Sequence, residues 1–194
     1  LQDEFKINDN HILTSGIRYE WSEFKSDDAT GEEQKSHDGL WNPSLNYLYH
    51  INKNNKLKIG LARTVNRPSF DKINPFKEED DGTLSDPDKV GNPDLKPEIS
   101  YGLDISIEHY FDDSKGLLIA NFLYRDIKDR IEDNTSLNTT NNRYEEKAIN
   151  QGDATIKGLE IEANYDLSAI IPNFRITSNI TFMDGEIEDN ITGK

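Results

Sequence analysis

Apolar and polar residues alternate along most of this chain in runs of roughly ten residues, the length of a tilted strand that crosses a bilayer. Residues 99–111, ISYGLDISIEHYF, show the pattern most cleanly. Tyr101, Leu103, Ile105, Ile107 and Phe111 fall on one face, and Ser100, Gly102, Asp104, Ser106 and Glu108 on the other. Residues 12–24 repeat it, with Leu13, Ile17, Tyr19 and Trp21 opposed to Thr14, Gly16, Arg18, Glu20 and Ser22. The same alternation runs through Leu45, Tyr47, Tyr49 and Ile51, through Leu57, Ile59 and Leu61, and through Leu118, Ala120, Phe122 and Tyr124. It returns in Leu159, Ile161, Ala163 and Tyr165, and in Phe174, Ile176, Ile180 and Phe182. These runs lack the three- and four-residue spacing of an amphipathic helix and are rich in β-branched and aromatic residues. They predict about eight antiparallel strands, over residues 1–6, 12–24, 41–51, 56–64, 99–111, 117–130, 150–166 and 173–186.

The connectors alternate as well. Those at 8–10, 52–55, 112–116 and around Pro172 and Asn173 are short, while those at 25–40, 65–98 and 131–149 are long and polar. Tight turns at one end and extended loops at the other are the layout of an outer-membrane β-barrel, with short periplasmic turns and long outer loops. Aromatic residues sit where the two membrane interfaces would fall. Tyr19, Trp21, Phe24, Trp41 and Tyr101 lie near the outer ends of strands and Phe111 near an inner end. The rival reading is a soluble all-β domain that binds a ligand such as a carbohydrate, with its apolar faces packed on each other.

Composition narrows the function classes. The net charge of −15 argues against nucleic acid, which requires a basic face. A mean hydropathy of −0.82 does not argue against a membrane, because half of each barrel strand faces a polar lumen. There is no cysteine, hence no disulfide framework or thiolate chemistry. No apolar run reaches the roughly 18 residues of a transmembrane helix. His11, His37, His50 and His109 are scattered and form no zinc-binding pair. No nucleophile, P-loop or dinucleotide motif is present, so no catalytic residue, metal or cofactor is assigned and the chain reads as a non-enzyme. The acidic run KEEDDGTLSDPDK at 77–89 suits a hard cation such as calcium, but it lacks the EF-hand spacing and reads better as a solvated outer loop. Arg18, Glu20, Asp104, Glu108, Arg125, Glu160 and Glu162 fall on the polar faces, where they line a lumen or pair across strands.

Five segments in order resemble the barrel domain of TonB-dependent receptors. Residues 92–98, Asn92, Pro93, Asp94, Leu95, Lys96, Pro97 and Glu98, are similar to an N-P-x-L-K-P-E segment that leads from an outer loop into a descending strand. ARTVNRPSF at 62–70, with Arg67 and Pro68, is similar to the strand end before it. FLYRDIKDRIE at 122–132, NQGDATIKGLEIEANYDL at 150–167, with Gly158 and Glu160, and HILTSGIRYE at 11–20 complete the set. Pro93 and Pro97 remove backbone donors and hold Asn92 and Lys96 extended, so this segment is expected to act as a rigid lead-in that sets strand register rather than as a ligand contact. Gly158 is expected either to admit a plug closely or to mark a bulge.

The resemblance implies that residues 1–194 are part of a larger barrel of about 22 strands, an interior piece with the plug domain and the barrel closure lying outside it. It implies a location in the bacterial outer membrane. It also implies partners: membrane lipid, the TonB complex acting through the plug, and a small scarce nutrient, either an iron–siderophore complex or an oligosaccharide or other organic compound. A passive porin-like barrel is the alternative within the membrane class.

Overall fold

In the computed structural model, residues 1–27, 33–111 and 115–188 are described. Eight strands form one antiparallel sheet: β1 (Gln2–Asn8), β2 (His11–Asp27), β3 (Glu33–His50), β4 (Asn55–Asn66), β7 (Glu98–Tyr110), β8 (Gly116–Lys128), β11 (Asp153–Asp166) and β12 (Arg175–Glu188), paired in that order. The segment between β4 and β7 carries a four-residue helix, α1 (Phe70–Ile73), and two short strands, β5 (Lys77–Glu78) and β6 (Asp88–Val90). The segment between β8 and β11 is a hairpin of β9 (Ile131–Asn138) and β10 (Arg143–Asn150). These four short strands make a second sheet in the order β5-β6-β10-β9. No described helix is long and apolar enough to cross a membrane, which says nothing of strands.

The strand period of two dictates both faces of the main sheet. Across all eight strands, Phe5, Leu13, Tyr47, Ile59, Ile105, Phe122, Leu159 and Phe182 stand in one unbroken cross-strand row. One residue along each strand, a second row on the opposite face reads Lys6, Ile12, Leu48, Lys58, Ser106, Asn121, Glu160 and Thr181. No second layer covers this face: Phe5, Phe122, Leu159 and Phe182 of the row are exposed, as are Leu61 and Ile107 two residues along the same face. A water-soluble chain rarely leaves so broad an apolar surface open. The sandwich alternative needs another sheet against this face, and the four-stranded sheet is instead built from the connections at one end of the strands.

Each strand core lies where the alternation places it, with ends moved by a few residues. The connectors differ more. The stretch 25–40, expected as a loop, continues the β2–β3 ladder as far as Asp27 opposite Glu33. The stretches 65–98 and 131–149, expected as separate irregular loops, are joined as one sheet. β6 and β10 pair in parallel, with Asp88 opposite Glu145 and Val90 opposite Lys147.

A paired kink links the two sheets. Asp129 and Gly152 both take positive φ, 54° and 83°, a conformation that glycine and the short polar Asp tolerate. Arg130 N donates to Gly152 O at 2.9 Å and Gln151 N to Arg130 O at 2.8 Å. The β8–β11 ribbon thus bends without losing its pairing and continues as β9–β10.

Candidate functional site

The connected outer layer is the region where side chains converge most. At its centre Asp88 is fully buried inside an acidic run. Arg143 grips it with Nε to Oδ2 at 2.7 Å and Nη2 to Oδ1 at 2.5 Å, Lys77 Nζ lies 2.9 Å from Oδ2, and the Asp80 backbone N–H donates to Oδ1 at 3.1 Å. Hydrogen bonds from Arg143 and then Lys77 hold the Asp88 carboxyl far below the usual carboxylate range, against the opposing effect of burial. Lys77 also pairs with Glu145 at 2.9 Å, and Tyr144 N donates to Gly82 O at 2.9 Å. Residues 77–89 are therefore not simply a solvated loop. They supply two strands and a buried acid whose partners are cations of the same chain. Among the described residues no group of three or more acidic or histidine side chains converges on a metal position.

The family segment at residues 92–98 is clamped on both sides. Asn92 N donates to Lys72 O at 2.6 Å and its Nδ2 to Ala148 O at 2.8 Å. Lys96 N donates to Asn150 Oδ1 and Asn150 Nδ2 donates back to Lys96 O, both at 2.9 Å, while the same amide reaches Asp129 O at 2.8 Å. Leu95 is buried between them. Glu98 Oε2 accepts from Asn66 Nδ2 at 2.7 Å and Oε1 from Ile131 N at 2.7 Å. Asn92 opens a turn over Pro93 and Asp94, with Leu95 N donating to Asn92 O at 3.2 Å and Asp94 N to Asn92 Oδ1 at 3.2 Å, so the segment turns before it enters β7 rather than running extended throughout; its polar groups are tied to α1, β4, β9 and β10. The structure also brings this segment against Asn150, the first residue of the NQGDATIKG stretch, a contact that no local sequence signal announces.

Arg67 lies at the outer end of β4. It donates from Nη1 to Glu20 Oε2 at 2.7 Å, from Nη2 to Asp38 Oδ2 at 3.1 Å and from Nε to Ser22 Oγ at 3.0 Å, pinning the extended β2–β3 hairpin. Pro68, Pro93, Pro97, Phe24, Phe70 and Leu95 wall a small hollow of about 280 Å³ beside it. Gly158 and Glu160 are elsewhere, within β11. The ladder passes Gly158 without a register break, so the bulge reading is wrong. A Cβ there would lie 3.0 Å from Leu123 Cγ, which fills the space. Glu160 accepts from Asn179 Nδ2 at 2.6 Å. Of the other polar-face charges, Arg18 pairs with Glu20, Arg125 with Asp104 at 2.7 Å, and Glu108 with Lys58 and, at 2.8 Å, Tyr110 Oη.

Sequence reasoning missed the groove of about 540 Å³ between α1 and the second sheet, open to solvent and flanked by Phe76, Asp133 and Glu146. One side of it comes from β6 and β10, whose parallel pairing leaves no periodic trace in so few residues.

A meander with one apolar and one polar face, tight turns at one end and a structured layer at the other, defines a segment of a transmembrane β-barrel. The family described as "TonB dependent receptor-like, beta-barrel" matches residues 1–194, and the chain belongs to that family. No curated protein matches it. Among solved structures it is similar to the siderophore receptor PirA from Pseudomonas aeruginosa, with 21% identity over 97% of this chain and 34% of that one, at a TM-score of 0.74. It is similar to the copper transporter OprC, with 19% identity, 97% and 28% coverage and a TM-score of 0.73. It is also similar to a mutant of the ferric enterobactin receptor PfeA of Pseudomonas aeruginosa in complex with enterobactin, with 22% identity, 99% and 27% coverage and a TM-score of 0.70. At these identities the likeness shows the fold, and the chain spans about a third or less of each of these proteins.

Proposed function

We propose that these strands form part of the barrel of a bacterial outer-membrane receptor that takes up a scarce nutrient with energy delivered by TonB. The observation that carries the reading is the continuous apolar row across all eight strands, on a face that no second layer covers, backed by a row that is polar at six of its eight positions and suits a lumen. Family membership supports the same conclusion. Among the described residues β1 and β12 leave one edge each unpaired, and backbone groups in lipid need partners, so further strands are expected to complete a larger barrel. The TonB complex acts through a plug domain carried elsewhere in the receptor. The outer layer, rather than the clamped segment at 92–98, presents the capture surface. The segment at 92–98, Arg67 and Pro68 hold that layer on the barrel, and Gly158 and Glu160 belong to the strand wall. The nutrient is an iron–siderophore complex, as the names of two similar structures suggest, or an oligosaccharide or other organic compound.

The test is uptake of a labelled nutrient by cells that carry the receptor, with and without TonB. Uptake that stops in both the receptor deletion and the TonB deletion supports the reading. Uptake that continues without TonB makes the protein a passive pore, and release of the receptor from membranes without detergent makes it a soluble binding domain.

A further inference from the structure

The groove between α1 and the second sheet has a chemistry that restricts what it can hold. Its one large apolar surface is Phe76, which follows α1 and is 52% exposed. A half-exposed phenyl ring over an open groove of about 540 Å³ is within the size range of small-ligand sites and offers a flat face for stacking. The floor is set by Gly91, where a Cβ would collide with the Asn74 carbonyl, so the end of β6 lies directly against the chain leaving α1.

The polar lining is mixed in sign and already compensated. Lys72 lies 2.8 Å from Asp133, Lys77 2.9 Å from both Asp88 and Glu145, and Lys89 3.7 Å from Asp80. Each ammonium group on the wall therefore has a carboxylate partner before a ligand arrives. An anion entering the groove would have to separate these pairs in a strongly acidic setting. Over residues 67–98 nine carboxylates oppose five cationic side chains, and over residues 131–150 four oppose two, a net charge of −6 for the layer. Such a field lowers the local concentration of anions. Hydroxyl groups face no such penalty. Each donates to a carboxylate such as Asp71 or Glu146 and accepts from a lysine or the Asn74 amide, without breaking an ion pair.

We propose that this groove binds a neutral, polyhydroxylated ligand of the oligosaccharide class, with one sugar ring stacked on Phe76. The inference rests on the receptor reading above and, within it, sets oligosaccharides against the negatively charged iron complexes.

The experiment uses the intact receptor that contains this segment, purified in detergent, with maltohexaose, cellohexaose and chitohexaose as neutral probes and ferric enterobactin as the anionic one, each titrated by calorimetry. At least one neutral probe is expected to bind. Phe76→Ala should weaken it by about two- to tenfold, Phe76→Tyr, which keeps the ring, should retain it, and ferric enterobactin should not compete. Absence of binding by all three neutral probes overturns the proposal, as does binding indifferent to Phe76→Ala or competition by ferric enterobactin. Heat-modifiable migration of the same preparation on a gel reports the folded barrel separately. A folded barrel that binds none of the three sugars refutes the groove assignment and leaves the receptor reading standing. A protein that needs no detergent refutes the receptor reading itself.

Discussion

The two faces of β7 make opposite demands on adjacent residues. β7 contains 13 residues, which at about 3.3 Å each and a tilt near 45° span about 30 Å of bilayer. Ile105 is one residue from the middle of the strand and stands in the apolar row between Ile59 and Phe122. Ser106 stands on the polar face between Lys58 and Asn121. Ile105→Arg places a cation on the lipid face near the midplane, where an arginine costs about 2–4 kcal/mol. That corresponds to a roughly 30- to 700-fold drop in the folded-to-unfolded ratio. Ser106→Arg adds the same side chain one residue away but points it into a polar lumen, where only proximity to Lys58 opposes it, for about 1 kcal/mol or less. The comparison is made on the barrel that contains these strands, folded into lipid vesicles and titrated with urea, with the gel shift of the folded form as readout. Equal destabilisation by the two variants, or a larger effect from Ser106→Arg, would refute the assignment of faces.

Three further outcomes concern the outer layer. Asn150→Ala removes two hydrogen bonds to Lys96 and one to Asp129, and should loosen the layer by about 1–3 kcal/mol while the strands stay folded, seen as faster proteolysis within residues 77–98. Gly91→Ala drives a methyl group into the Asn74 carbonyl, so it should separate α1 from β6 and increase exchange of the Asn92 amide, which normally bonds to Lys72 O. The depressed pKa of Asp88 sets a pH dependence: in the unfolded layer the group protonates near pH ~3.9, in the folded layer well below that. The unfolded form therefore binds more protons in that interval, and stability rises with pH. The contribution is complete above about pH 4 to 5 and fades as pH falls below that; Asp88→Asn should abolish this acid limb, as read from amide exchange at residues 143–148 corrected for intrinsic rates.

How far the sequence was readable depended on which solvent each residue meets. In β7 and β11 one face meets lipid and the other a polar lumen, so alternation is sharp and Ile105, Ser106, Leu159 and Glu160 declare their sides. Beyond Phe24 the β2–β3 hairpin runs on past the apolar zone, the period-two contrast fades, and 25–40 read as a loop although its backbone pairing continues. The second sheet was hidden for a different reason. Its strands are two to eight residues long, and the parallel pairing of β6 with β10 joins positions 57 residues apart, as with Asp88 and Glu145. Asp88 itself was masked by company: among the acids of 77–89 nothing local marks the one that is buried, because its partner Arg143 comes from the next outer segment. Pro93 and Pro97 marked residues 92–98 as a lead-in to β7, but neither the turn from Asn92 to Leu95 nor the clamp to Asn150 left a local signal. Gly158 invited a bulge, but Leu123 from the neighbouring strand occupies the space that its missing side chain leaves.

The parallel β6–β10 junction has a consequence for how such a surface can diversify. Separate loops on a barrel rim can each drift, lengthen or be exchanged without regard to their neighbours. Here a change at Asp88 takes from Arg143 its carboxylate partner and leaves Lys77 with Glu145 alone, and a change at Arg143 leaves a buried carboxylate without its principal partner. The two segments are bound to a common history: substitutions in one are tolerated chiefly when matched in the other, and a graft that moves residues 67–98 into a foreign barrel will fold only if residues 131–150 travel with them.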